Sequence, residues 1–239
     1  FSSRIYDESR GSYYIFKKLE SGYSLSTGGP VSVVNRLDVS TGEVVEIAEG
    51  NWCKLSRSGK ILLYGMYKKN TLAKNLETGE TWTLPECYSN SSCITPDDKS
   101  VIYTASISDV QSTEGQLYQI PITGGTAVRL TQYTNGGIFG RLRLFPDCSP
   151  DGKWVIYQDQ NETISYSFHI GNRSGTVLQQ VFFALNLQTG ENIALTPISK
   201  SDSFIAGNFN ADGKKFCYLR ADHSKEDPFA VYIKDFDPE

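Results

Sequence analysis

The chain is poor in the residues that most chemistry needs. Its 239 residues include one methionine and two histidines, His169 and His223, which leaves little for a histidine-built metal site. Five cysteines are present but no C-x-x-C pair, which excludes a zinc ribbon or a thioredoxin-type site. No G-x-S-x-G elbow occurs, so the nucleophile turn of the α/β-hydrolases is absent. No apolar run approaches the roughly 18 residues needed to cross a bilayer, and no membrane span is expected. Lysine and arginine total 23 against 27 aspartates and glutamates, a net charge of -4. That is the wrong sign for a nucleic-acid partner, which wants a basic stripe. No long amphipathic helix can be traced. Phe1 is not an initiator methionine, so the chain is expected to be a fragment of a longer one.

What the chain has is a repeat. One phrase reads Ser56-Arg57-Ser58-Gly59-Lys60, Thr95-Pro96-Asp97-Asp98-Lys99, Ser149-Pro150-Asp151-Gly152-Lys153 and Asn210-Ala211-Asp212-Gly213-Lys214. Four residues after each lysine stands a tyrosine: Tyr64, Tyr103, Tyr157, Tyr218. Between these copies lies a second phrase, Thr41-Gly42, Thr78-Gly79, Thr123-Gly124 and Thr189-Gly190. Proline suits the second position of a type I turn, aspartate the third, and glycine the positive φ that follows. The residues after each lysine, such as Trp154-Val155-Ile156-Tyr157, are aromatic or β-branched and too few for a helix. Each Thr-Gly turn leads to an apolar anchor: Ile47, Leu84, Leu195 and, displaced by the extra Gly125, Leu130.

Two hairpins per repeat make a four-stranded meander, a to d, and meanders every 40 to 60 residues predict an all-β chain of β-propeller blades. Residues 1–239 are read as one propeller domain with blades about 1–50, 51–87, 88–133, 134–198 and 199–239. The first is degenerate, with Arg10-Gly11-Ser12 in place of the turn phrase and Phe16 in place of the tyrosine. The last ends at Ala230 to Phe236, a c strand, and lacks its outer strand. A bare edge invites pairing with other chains, so the parent is expected to have six or more blades, with closure by residues 1–7 as the alternative.

The run from Ser149 to Tyr157 resembles the blade signature of TolB-like propellers. That signature is shared with WD-repeat-like propeller domains of prolyl-oligopeptidase type and with oligogalacturonate lyases. Leu117-Tyr118-Gln119-Ile120 through Arg129-Leu130-Thr131, and Ala184 through Thr196, resemble the second half of such a blade. The resemblance covers about residues 51–239. It implies a non-catalytic propeller that binds a protein or peptide, in the periplasm or outside the cell, with no cofactor. Two alternatives share the scaffold: a lyase acting on an acidic carbohydrate, and the substrate-gating propeller of a serine peptidase.

Because the repeated turns are short, length variation concentrates on the opposite face, where function tends to reside. The loop from Tyr133 to Leu144 offers Phe139, Arg141 and Arg143, suited to clamping a carboxylate; the competing reading pairs the arginines with aspartates in the sheet. The segment from Gln158 to Val177, read as a b–c loop, offers Tyr166, Phe168 and His169 for stacking or as a base, or else as residues pinning a long loop. His169, His223 and Asp222 are weak candidates for a metal site, against two solvated histidines. Trp52, Trp82 and Trp154 are expected to pack between blades and Cys217 to be a core thiol; Cys87 and Cys93 flank one loop and could form a disulfide if the protein is exported, a pairing the sequence leaves open. Asn90, Asn161 and Asn172 open N-x-[ST] sequons.

Overall fold

The structure, a computed structural model, describes residues 4–7, 12–23, 30–50, 52–66, 69–85, 87, 91–106, 115–131, 142–170, 173–197, 199, 202–225 and 229–238. Every regular element among them is a strand. The first antiparallel meander is β1 (Arg4–Asp7), β2 (Ser12–Tyr23), β3 (Pro30–Asp38) and β4 (Val44–Glu49). The second is β5 (Trp52–Leu55), β6 (Ile61–Gly65), β7 (Thr71–Asn75) and β8 (Thr81–Leu84). The third is β9 (Ser92–Ile94), β10 (Ser100–Ser106), β11 (Gly115–Pro121) and β12 (Val128–Arg129). A parallel bridge, Gly115 to Leu142, joins it to the fourth: β13 (Leu142–Cys148), β14 (Trp154–Ile170), β15 (Arg173–Asn186) and β16 (Asn192–Ala194). The fifth has three strands, β17 (Asp202–Phe209), β18 (Lys215–Asp222) and β19 (Phe229–Asp235). Arg4–Asp7 pair with β2 as the first strand of the first sheet.

The chain divides into two compact units, Phe1–Asn90 with Asp98–Ser100 and Pro121–Thr126, and Ser91–Asp97 with Val101–Ile120 and Ala127–Glu239. In the first, Val34, Cys53, Leu62 and Tyr64 form a core, and Leu84 is fully buried. In the second, one core joins Cys93, Ile102 and Leu117 to Cys148, Val155, Tyr157 and Phe183. Another joins Trp154, Ile156 and Ala184 to Phe209 and Phe216.

Backbone geometry explains both phrases. In the first, Gly59, Gly152 and Gly213 take φ of 72°, 71° and 74°, and Asp98, standing where the other copies have glycine, takes 58°. The phrase's opening residue folds back on the strand that follows: Ser56 Oγ accepts from Ile61 N, Ser149 Oγ from Trp154 N and Asn210 Oδ1 from Lys215 N. In the second, Gly42, Gly79, Gly124 and Gly190 lie between 74° and 86°. The residue four before three of these glycines carries the turn: Asp38, Asn75 and Asn186 each accept two backbone N–H groups through Oδ1. Successive turns also touch, since a Cβ on Gly213 would lie 2.8 Å from Pro150 Cδ and one on Gly152 3.8 Å from Pro96 Cδ.

Trp82 donates its indole N–H to the Ile122 carbonyl, 2.6 Å away in the following repeat. Trp154 meets Phe236 edge-on at 5.9 Å. Trp52 lies against Gly65 of its own sheet and packs on the core that joins Val34 of the first sheet to Cys53, Leu62 and Tyr64 of the second. Cys217 departs from the expected core thiol and is half-buried. It lies on β18 beside β19, whose Val231 and Ile233 are 72% and 71% exposed, so little covers that part of the sheet. Cys87 and Cys93 are not joined by a disulfide, and all five cysteines are thiols. The Cys87 carbonyl is tied to Thr71 N at 2.7 Å, and Cys93 faces Cys148 instead.

Candidate functional site

The expected b–c loop of the fourth repeat is not a loop. β14 and β15 continue past the body of their sheet as an antiparallel ribbon, in register from Ser165–Leu178 to Ile170–Arg173 after a bulge between Asn161 and Ser165. β13 accompanies β14 only as far as Leu142–Gln160, and β16 accompanies β15 only between Phe183 and Leu185. Beyond those points the two strands of the arm pair only with each other among the described residues. Tyr166, Phe168 and His169 are therefore strand residues opposite Val177, Gly175 and Ser174. The physical reason is in the alternation of Tyr166, Phe168 and Ile170 with Ser165, Ser167 and His169, which is the period of a strand. Arg143 also lies on a strand, opposite Asp159 of β14. Phe139 and Arg141 lie outside the described residues, as do Asn90 and Asn172.

The arrangement that the sequence did not reveal lies at the same end of the fifth sheet. Asp202 opens β17 and Asp222 closes β18, paired across the ladder. Arg220 Nη2 donates to Asp202 Oδ2 at 3.0 Å, and Nε lies 3.0 Å from Asp202 Oδ1. The guanidinium sits 5.4 Å over the Tyr232 ring, and Nη1 donates to the Tyr232 hydroxyl at 3.3 Å. Asp202 is 8% exposed, so its charge needs this partner. The hydrogen bond that Asp202 accepts in turn holds the guanidinium proton more tightly than usual. Ser203 Oγ lies 2.8 Å from His223 Nε2, and Phe204 N donates to Gln180 Oε1 of β15 at 2.8 Å. The last bond ties the start of β17 to the fourth sheet, just below the ribbon.

Of the candidate metal ligands, Asp222 and His223 have other partners. Asp222 Oδ1 accepts from Ser224 Oγ at 2.5 Å and from Ser224 N at 3.1 Å, and Lys225 Nζ stands 3.2 Å from Oδ2. Among the described residues no three His, Cys, Asp or Glu side chains converge to hold an ion. The Ser224 hydroxyl, its N–H and Lys225 hold the Asp222 carboxyl down at about 2 against an ordinary 3.8. A carboxyl lowered on folding stabilises above its ordinary range, and that benefit is lost as pH falls from about 4 through about 2. NMR titration of the Ser224 amide should therefore show a midpoint near pH 2; a midpoint near 4 would mean the cap does not persist in solution.

On the face of the repeated turns, a groove of about 600 Å³ runs over Trp154 and Phe236 and is edged by Asp151, Glu191, Asp212 and Lys153. Its excess of carboxylates disfavours anionic ligands. Burial pushes the Cys53 thiol up to about 12, which leaves it inert as a nucleophile at neutral pH.

No protein-family model matches the chain, and no curated protein does. Among solved structures, TolB from Acinetobacter baumannii matches with a TM-score of 0.61 at 17% identity, over 97% of this chain and 53% of its own. The chain thus spans about half the length of that TolB. Prolyl oligopeptidase B from Galerina marginata matches with a TM-score of 0.55 at 15% identity, over 100% of this chain and 36% of its own. The β-propeller domain of the Trilobed protease from Pyrococcus furiosus, a propeller of open velcro topology, matches at 0.54 and 10% identity, over 98% of this chain and 69% of its own. At such identities the likeness speaks for the fold alone: the chain is all-β, with the blades of a TolB-like β-propeller.

Proposed function

We propose that the chain is a binding propeller, acting outside the cytoplasm, that recognises a protein or peptide at the end of its fourth and fifth sheets where the β14–β15 ribbon projects. The ribbon carries this reading. A two-stranded hairpin is marginally stable alone in water, and an open strand edge is a template for an added strand. Strand addition supplies affinity through main-chain bonds, and alternate side chains supply selectivity. In the sequence Tyr166, Phe168 and Ile170 alternate with Ser165, Ser167 and His169, and Ser167 is exposed. The TolB likeness supports both the scaffold and the location. Arg220 is committed to Asp202 and the turn-face groove is acid-lined, so neither invites an acidic sugar.

The test is selection from a displayed peptide library, with a counter-selection protein in which residues 162–178 are replaced by an Asn-Gly turn. Extended peptides should be enriched on the intact chain and should bind the shortened one at least about tenfold more weakly, a difference of about 1.4 kcal/mol. Equal binding to both proteins would remove the ribbon from the site. Turnover of an acidic oligosaccharide to an unsaturated product would replace this reading with the lyase.

A further inference from the structure

Two cysteines 55 positions apart in the chain meet in the core of the second unit. Cys93 is the middle residue of β9, and Cys148 ends β13. Their sulfurs lie 3.2 Å apart, and the two residues are 4% and 2% exposed. Each is held from its own side, Cys93 by its register with Ile102 and Cys148 by its register with Val155. A second contact draws the same strands together: β13 bulges between Leu144 and Asp147, Phe145 takes a φ of 53°, and its N–H donates to Ser91 Oγ at 2.6 Å. The approach is thus built by the backbone of both strands and does not depend on a surface rotamer.

We propose that Cys93 and Cys148 form a structural disulfide that cross-links the third and fourth sheets when the chain folds in the presence of a small-molecule or protein disulfide. A bonded pair stands about 2.0 Å apart, against the 3.2 Å between these sulfurs. The exchange proceeds in two displacements. One cysteine thiolate attacks a sulfur of the oxidant and expels one thiolate, leaving a mixed disulfide. The second cysteine thiolate attacks the protein sulfur of that bond and expels the other. The two cysteines lose two protons and two electrons, and the oxidant gains both as two thiols. Burial sets the timing: the exchange runs on the folding chain, before the core closes, and the finished bond is shielded from reductant.

The cross-link follows from the core geometry and does not rest on the proposed binding role. The chain is refolded in reduced and oxidised glutathione, alkylated, digested without reductant and mapped by mass spectrometry. A linked Cys93–Cys148 peptide is expected, with Cys53, Cys87 and Cys217 alkylated. The melting temperature of the oxidised protein should exceed that of the reduced protein by roughly 5–15 °C, from the entropy of the closed loop and the thermal scale of a chain this size. Cys93→Ser and Cys148→Ser, singly or together, should abolish that difference. Where a variant fails to fold, the peptide map of the parent chain still decides. Recovery of all five cysteines alkylated, or a link through Cys87, would overturn the proposal.

Discussion

Replacing Phe182 with alanine should cost about 3–5 kcal/mol of stability, the range for removing a large aromatic from a packed core. Phe182 is fully buried on β15, and its ring meets residues of the fifth sheet. Its ring centroid lies 6.2 Å from that of Phe204 and 5.6 Å from that of Tyr218. A Cβ on Gly207 would stand 3.2 Å from Phe182 Cε1, so the β17 backbone lies directly on the ring. That approach is possible because position 207 has no side chain, at the bulge between Ile205 and Gly207. The Phe182 backbone is pinned as well: its N–H donates to Thr196 Oγ1 at 2.9 Å, and its carbonyl accepts from Leu195 N at 2.7 Å. With the backbone fixed and β17 held by its own ladder, the space left by the ring has little means of collapsing. Urea unfolding measures the loss, and Phe182→Leu, which keeps more of the volume, should cost only roughly 1–2 kcal/mol. A cost below about 1 kcal/mol for the alanine variant would show that the two sheets do not depend on this ring.

The Leu-Thr pair that pins Phe182 marks where the sequence is legible and where it is not. The turn phrases could be read locally, because a glycine at positive φ after Pro-Asp is a property of four or five neighbouring residues. Asp98 shows the limit of that reading: the geometry is kept at 58° without glycine. Arg129-Leu130-Thr131 and Ala194-Leu195-Thr196 were visible as recurring words, but not their work. In both, the threonine hydroxyl accepts a backbone N–H of the preceding c strand, at Leu117 and at Phe182. The ribbon was misread because Asn161, Glu162, Ser165 and Ser167 weigh toward a loop by composition, although the alternation from Ser165 to Ile170 has the period of a strand. The site was hidden for a different reason. Arg220 and Asp202 are 18 residues apart and Cys93 and Cys148 55, and no local pattern registers such partners. Strand register and the meeting of neighbouring sheets decide them. Proximity in the chain, as between Cys87 and Cys93, is for that reason no guide to which cysteines meet.

Asp202→Ala should destabilise the chain by about 1–3 kcal/mol, and the loss should depend on Arg220. Removing one member of a buried ion pair leaves the other charge desolvated, which costs about 3–5 kcal/mol when burial is complete. Here the Arg220 side chain is 30% exposed and that of Asp202 11%, so water recovers part of the loss and the lower range applies. Arg220 also keeps its place over the Tyr232 ring, a contact independent of the carboxylate. Arg220→Met removes the charge while filling much of the volume, so Asp202→Ala made in that background should cost less than it does alone. A double-mutant cycle in urea should give a coupling energy of roughly 1–2 kcal/mol, as expected for neighbours in one network. Tyr232→Phe should cost about 0.5 kcal/mol or less, since the 3.3 Å bond it loses is long and exposed. The same cycle bears on function. Asp202 precedes Ser203, whose hydroxyl meets His223, and Phe204, whose N–H is held by Gln180. If the ion pair holds the start of β17 in place, Asp202→Ala should also speed amide exchange at Ser203 and Phe204 and weaken peptides selected on the ribbon. Additive losses with unchanged exchange would reduce the pair to a surface contact and leave the ribbon to act without it.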